Sequence, residues 1–336
     1  MKILIYSPLF YPSVGGLETV VAILAQEFVA QGHTVKLVCH TPAAEDSGFP
    51  FVVIRQPSAP VLLQLLRWCD LYFQPNISLK GLWPLLICPR PWVVSHNNWY
   101  CRVDGRLAWQ DRLKQRLLTF ATNISVSQAV AAHIAQPSTV IPNPYRDGVF
   151  YPRQGVVRDR PLIFVGRLVS DKGVDLLLAA LAQLRSQGLT PMLTVVGGGP
   201  EEAALKAQAQ QLGISDQVDF VGVKVGEELA QLLSAHQILV VPSRWQEPFG
   251  IVALEGIACG CVVVGSEGGG LPEAIGPCGV TFANGDVVAL TQALANLLTC
   301  PDRVAHYQNN AVSHCDRHRA AAVAVAYLRI FEGAIW

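Results

Sequence analysis

The sequence predicts an α/β protein made of two doubly wound domains facing a central cleft. Three observations carry that expectation: short apolar, β-branched runs alternate with amphipathic stretches, the alternation halts at a proline-rich junction and restarts, and 336 residues exceed the usual size of one domain. The first unit of the pattern is KILIY, then TVVAILAQEFVAQG, then HTVKLVCH, which reads as strand, helix ending at Gly32, and strand, joined by a right-handed crossover. The junction is VIPNPYRDGVFYPRQG, residues 140–155, dense in proline, glycine and polar residues. After it the runs PLIFVGRL, MLTVVGGG, VDFVG, ILVVPS and CVVVGS alternate with helical stretches. A last amphipathic helix runs from Arg317 to Trp336. The expected domains are therefore 1–145, 146–316 and a terminal helix over 317–336.

Composition narrows the class. Lys+Arg and Asp+Glu are balanced at 25 each and charged residues make up only 15%, so no global field attracts nucleic acid. No run of about 18 uninterrupted apolar residues occurs, and MKILIYSPLF has neither a long apolar segment nor a small-residue cleavage site, so a cytoplasmic protein is expected. The nine cysteines contain no C-x-x-C pair and read as small buried hydrophobes, with neither metal nor disulfide roles.

In doubly wound sheets ligands sit beyond the carboxyl ends of the strands, so chemistry belongs to the loops that follow strands. After the first strand, Gly15 and Gly16 precede a helix, a place where free N–H groups meet an anion or where the chain simply turns. VGRLVSDKG puts Arg167 and Lys172 beside a helix start, as an oxyanion site or as a pair of solvated cations. VVGGGPEE ends a strand in three glycines, with Pro200 expected at the first helical position. SEGGGLPE offers a second glycine-rich cradle ahead of a helix near Pro272.

The stretch EPFGIVALE separates two glutamates by seven residues. Pro248 keeps Glu247 on a loop, so the helix is expected near Phe249 with Glu255 about two turns in. Eight helical residues span about 12 Å, too far for two carboxylates to flank a single bond. Each carboxylate accepts two hydroxyl hydrogen bonds, so sugar or ribose diols held at different parts of one extended ligand fit the pair. The chain has no D-x-D, so nothing suggests a divalent ion held by clustered carboxylates. No metal and no cofactor beyond the co-substrate are expected.

Taken together these residues resemble the retaining glycosyltransferases of family 4 (glycosyltransferase group 1), with the GT-B fold of two Rossmann-like domains. EPFGIVALE is similar to the family's E-x7-E motif, GRLVSDKG to its arginine–lysine loop, and GGGPEE and SEGGGLPE to its glycine loops. VGGLE and VIPNP are similar to its acceptor-domain loop and linker. The resemblance covers nearly the whole chain. It implies that Glu247 holds hydroxyls of a nucleotide-sugar donor, Glu255 the ribose, and Arg167 with Lys172 the diphosphate. It also implies donor contacts at Gly15, Gly16, Gly198, Phe249, Gly250, Ile251, Gly270 and Leu271, with Val221 and Gly222 near the base. His96 in WVVSHNNWY is similar to the family's catalytic cleft histidine, although Asn97 stands where aspartate is frequent. The implied reaction moves a sugar to an acceptor hydroxyl with retention, without a metal, by a front-face mechanism, and the terminal helix returns to the first domain.

The acceptor is not specified. Residues 99–118 combine Trp99, Tyr100 and Trp109 with five cations, a pattern for peripheral contact with anionic lipid at the inner membrane face or for an ordinary solvated helix. Two rival readings stand beside the transferase: a catalytically silent sugar-nucleotide-binding subunit and a nucleotide-sugar epimerase of similar build. A nicotinamide oxidoreductase would need G-x-G-x-x-G after the first strand of a domain, which neither domain shows.

Overall fold

The computed structural model describes residues 1–13, 15–43, 48–100 and 108–335. Two compact units result, Met1–Pro144 with Arg319–Trp336, and Tyr145–His318.

In the first unit β1 (Lys2–Tyr6), β2 (Thr34–Cys39), β3 (Val52–Arg55), β4 (Leu71–Pro75), β5 (Trp92–His96), β6 (Thr122–Ser125) and β7 (Thr139–Val140) form one sheet. Its order is β3-β2-β1-β4-β5-β6-β7, and every pair is parallel. Central parallel strands are covered on both faces, which is why KILIY reads as an apolar run and why LYFQP is buried throughout. The strand LYFQP is hard to see in sequence, because it ends in Gln74 and Pro75, which pair with β5 alone after the register with β1 stops at Phe73.

The C-terminal helix Ala320–Ile335 belongs to this unit. It packs on the helix Gly16–Ala30, with the ring of Phe331 5.3 Å from Phe28 and 5.2 Å from Phe73. Both Tyr327 and Phe331 are fully buried.

The second unit repeats the plan with β8 (Arg160–Val165), β9 (Leu193–Val196), β10 (Val218–Gly222), β11 (His236–Val241), β12 (Val262–Ser266) and β13 (Gly279–Phe282). The order is β10-β9-β8-β11-β12-β13, again all parallel. The helices Val174–Ser186 and Val287–Thr299 meet over one face, burying Leu177, Leu181, Leu184, Leu290 and Leu294 against β8, β9, β11 and β12. The 140–155 segment is bound into the structure, for Val140 closes β7 and Tyr145 and Phe150 are buried.

Two local expectations need correction. Pro200 precedes the first helical position, since the helix is Glu202–Gln211 with Glu201 as its N-cap. The helix after β11 is Ile251–Ala258 with Gly250 as N-cap at φ 102°, so Glu255 stands just over one turn in, not two. The left-handed Gly250 breaks the path between the two glutamates, and helical rise therefore does not measure their separation.

In each sheet the order reverses once, between β1 and β4 and between β8 and β11. The loops beyond those strand ends form a ready crevice.

Candidate active site

In the second unit the loop after β8 and the loop after β11 are clamped together by their backbones. Asp171 O accepts from Arg244 N at 2.9 Å and from Trp245 N at 3.2 Å. Gly173, at φ 67°, passes so close to Pro242 O that a Cβ there would sit 2.0 Å from it. Only glycine supplies both the left-handed backbone and the missing atom. The clamp carries Lys172 to Glu247: Nζ donates to Oε1 at 2.6 Å, and Ser243 Oγ donates to the same oxygen at 2.7 Å. Both charged side chains are largely buried, at 25% and 13% exposed, so the pair is held more firmly than a surface ion pair.

The glycine loop after β12 closes on the other side of Glu247. Gly269 pairs with Glu247 in an isolated parallel bridge, and Gly270 N donates to Glu247 O at 2.7 Å. A Cβ on Gly269 would meet that carbonyl at 2.2 Å. Thus three expected site loops, carrying Lys172, Glu247 and Gly270, converge on one residue: Lys172 bonds the Glu247 carboxylate and the Gly269–Gly270 loop holds its backbone. Arg167, on the β8 loop as well, is exposed, and its guanidinium makes no ion pair among the described residues.

Glu255 differs in kind. It keeps some solvent-accessible surface, yet protein crowds its carboxyl so closely that desolvation pushes its pKa up to about 7, with Arg146 opposing the shift. Among the described residues nothing hydrogen-bonds to that carboxyl. It is a recessed acceptor whose bonding capacity is unused.

Several residues expected to touch a donor serve the fold first. Gly197 and Gly199 are required by the backbone around them, since Cβ atoms there would lie 1.8 Å from Gly166 O and 2.3 Å from Leu168 O. Only Gly198 of that trio is open, its Cβ position meeting Val223 Cγ2 at 3.2 Å. Phe249 and Leu271 are buried, so their side chains anchor the loops and only their backbone can face a ligand. Ile251 is half-buried at the helix start. Val221 and Gly222 end β10, where Gly222 O accepts from Gly197 N at 2.9 Å.

In the first unit the helix start at Gly15 and Gly16 already has a negative charge. The buried Glu18 folds back until its Oε2 would lie 2.5 Å from a Cβ on Gly15. A carboxylate there satisfies the positive helix end.

His96 does not face an open site. It is fully buried, with Nδ1 2.7 Å from Tyr100 Oη and Nε2 3.1 Å from Asn123 Oδ1. Asn123 Nδ2 donates to Leu118 O and Ala121 O, so its Oδ1 must accept and Nε2 carries the proton. Nδ1 then accepts from the Tyr100 hydroxyl. Burial lowers the His96 pKa to about 4, which matches this neutral tautomer. His96 is expected from the sequence to touch substrate; in this structure both its nitrogens bond inside the fold, and the ring ties β5 to its neighbours. Sequence reasoning also placed Tyr100 in a surface aromatic patch, whereas it is buried by this same network. Ser243 was not legible as a site residue, because a loop hydroxyl leaves no sequence signal.

Among the described residues no group of three or more His, Cys, Asp or Glu side chains is arranged to hold a metal ion. No described helix is long and apolar enough to cross a membrane.

Comparison with known proteins agrees with this architecture. The D-inositol 3-phosphate glycosyltransferase 2 of Catenulispora acidiphila is 37% identical over 185 residues, covering 52% of this chain and 43% of the relative. The MMP alpha-(1->4)-mannosyltransferase of Mycolicibacterium hassiacum is 31% identical, covering 71% and 59%. The chain spans about two-fifths of the length of the first curated relatives it matches. Among solved structures, Anabaena HepE in complex with UDP superposes with a TM-score of 0.84 at 22% identity, over 99% of this chain and 100% of that one. Sucrose-phosphate synthase from Thermosynechococcus elongatus gives 0.81 at 22% identity, over 99% and 98%. These likenesses establish the fold as GT-B. Residues 154–314 match the model for glycosyl transferases group 1, and this region of the chain belongs to that family.

Proposed function

We propose that this protein is a retaining glycosyltransferase that moves a sugar from a nucleotide-diphosphate sugar to an acceptor hydroxyl. The observation that carries the reading is the Lys172–Glu247–Ser243 constellation at the β8/β11 reversal, with unpaired Arg167 on the same loop. Glu247, fixed by Lys172 and Ser243, keeps its second oxygen for donor-sugar hydroxyls. Arg167 and Lys172 supply positive charge where the diphosphate leaves, and recessed Glu255 accepts the ribose hydroxyls.

In the step, the bond from the anomeric carbon to the phosphate oxygen breaks as the acceptor oxygen bonds to the same carbon on the same face. The acceptor proton passes to the departing phosphate oxygen, so no protein base is needed. Preorganised cations stabilise the charge that builds on the diphosphate. The charge comes from the chain, so turnover is expected to survive chelation by EDTA.

The relatives support a nucleotide-sugar donor: one is a GDP-mannose-dependent mannosyltransferase, and HepE was solved with UDP and with UDP-glucose. The proposal extends to a cytosolic setting, which the eight free thiols among the described cysteines favour. It includes peripheral contact with anionic membrane through residues 99–118, of which 101–107, with Arg102 and Arg106, lie outside the described residues. Trp109 is 71% exposed and Leu113 39%, flanked by Arg112 and Arg116, as a lipid-facing helix requires. Flotation with anionic vesicles tests that contact, and failure to float with them removes it.

The central test is a thermal-shift panel of UDP-, GDP- and ADP-sugars on wild type and Glu255→Ala. A base-selective shift that the variant loses is the expected result. Single-turnover release of nucleoside diphosphate then separates the enzyme from a silent binding subunit.

A further inference from the structure

A second crevice lies wholly within the first unit, at its own strand reversal. Residues after β1 (Pro8, Leu9) and from the end of β4 onward (Pro75–Lys80) line a pocket of about 430 Å³, with the helix Trp109–Leu117 on one side. That volume suits a small-molecule headgroup. We infer that this pocket binds a phosphate ester joined to an apolar chain, and that such a molecule is the acceptor. The inference rests on the transferase reading above.

The charged groups of the pocket are both cations, Lys80 and Lys114, and beside them stand the amides of Asn76 and Gln110 and the Ser78 hydroxyl. Lys80 is exposed and makes no ion pair among the described residues. Lys114 is fixed at the rim by Asp111 Oδ1 at 3.3 Å and by the ring of Tyr100, 5.7 Å away. Asn76 is held at φ 111°, and its Oδ1 accepts from Asn97 N at 2.8 Å, so its NH2 group is the part left to the pocket. A non-glycine residue in that region is costly and persists where surroundings over-determine it. Among the described lining residues none is acidic. Two lysines with two amides and a hydroxyl, and no lining carboxylate, suit an oxyanion, and phosphate is the one that commonly links a polar headgroup to a chain.

The remaining walls are apolar, with Leu9, Leu17, Ile77 and Leu79. The helix gives them a continuation. Gln110 and Lys114 line the pocket four residues apart, while Trp109 and Leu113, one position back, lie about 100° around the helix. That neighbouring stripe is exposed, and it continues to Phe120, 78% exposed. A chain leaving the pocket beside Lys114 would run onto it.

The test is calorimetric binding to the full chain of three probes: dioctanoyl phosphatidylglycerol below its micelle concentration, dioctanoylglycerol, and glycerol 1-phosphate. The expected result is that the phosphatidylglycerol binds about tenfold or more tighter than the neutral diacylglycerol, and that Lys80→Gln and Lys114→Gln each remove much of that preference. Leu9→Ser should weaken the lipid and leave glycerol 1-phosphate unchanged. Equal binding of lipid and glycerol 1-phosphate would keep the phosphate assignment and identify a soluble ester as the occupant. Equal binding of charged and neutral lipid, or indifference to both lysine substitutions, overturns the inference. Nucleotide-sugar thermal shifts on the same wild-type preparation separate the two levels: a donor shift without lipid selectivity removes only the acceptor class, and absence of both removes the transferase reading.

Discussion

The two units share a plan and differ in where they put charge. Each is a parallel sheet with one reversal, and each gathers polar groups beyond the strands that flank it. At β8/β11 the polar groups are an ion pair, a hydroxyl and a free arginine. At β5 the buried groups are a neutral chain of histidine, tyrosine and asparagine, while beyond β1 and β4 the charges are Glu18 at a helix start and lysines at the pocket rim. Fixed charge is worth most where a reaction develops charge, and neutral networks cost least where the task is to hold a shape. On the function proposed above, the contrast puts chemistry in the second unit and selection in the first.

The largest expected effect breaks the charged centre. Lys172→Met and Glu247→Gln should each lower kcat by about 10²–10³-fold, the range for losing one preorganised group, and the double variant should cost little more than either alone. Steady-state kinetics with a matched donor would check this, and a tenfold loss or less would remove the centre from the reaction. Next is the backbone that aims Glu247. Gly269→Ala should destabilise by about 1–3 kcal/mol in urea titration, because the residue is left-handed and faces a carbonyl, whereas Gly198→Ala should be close to neutral.

A smaller effect concerns Glu255, whose folded pKa of about 7 stands above its ordinary 4.5. The folded form holds a proton across that window that the unfolded form has released, so stability falls as pH rises from 4.5 to 7. Glu255→Gln should melt higher than wild type at pH 8, by roughly 2–4 °C for each kcal/mol recovered. Wild-type donor affinity should weaken as pH falls through about 7, and the variant should lose that dependence. The smallest expected signal comes from His96, held neutral with a folded pKa of about 4 against 6.5. Its contribution is complete above pH 6.5 and lost as pH falls from 6.5 to 4, so His96→Gln should flatten the acid limb of unfolding. Buried His236 and His314, shifted the same way in the second unit, dilute the difference.

How much of this was written in the sequence follows the same division. Lys172 and Glu247 stand out because charged residues in loops after strong apolar strands have few packing reasons to be there. Strands β3, β4, β6, β7 and β13 do not, being short, or polar like TNIS, or interrupted like LYFQP. His96 was legible as a residue of interest but not as a buried one, since its partners Tyr100 and Asn123 lie 4 and 27 positions away and only folding joins them. The glycines of GGGPEE look like a ligand cradle in sequence. Two of the three prove to be clearance for neighbouring carbonyls, a distinction that depends on where another loop passes.

The return of the helix Ala320–Ile335 to the first unit bears on how the protein is made. A ribosome delivers residues in order, and N-terminal domains generally fold first. Here the first unit begins at Met1 but cannot place Tyr327 and Phe331 between its strands and the helix Gly16–Ala30 until the whole intervening unit, Tyr145–His318, has emerged. Until then an apolar surface around Phe28 and Phe73 stays uncovered. The unit that starts first is finished last, and a nascent chain halted before residue 320 carries a complete second unit beside a first unit still open to chaperones.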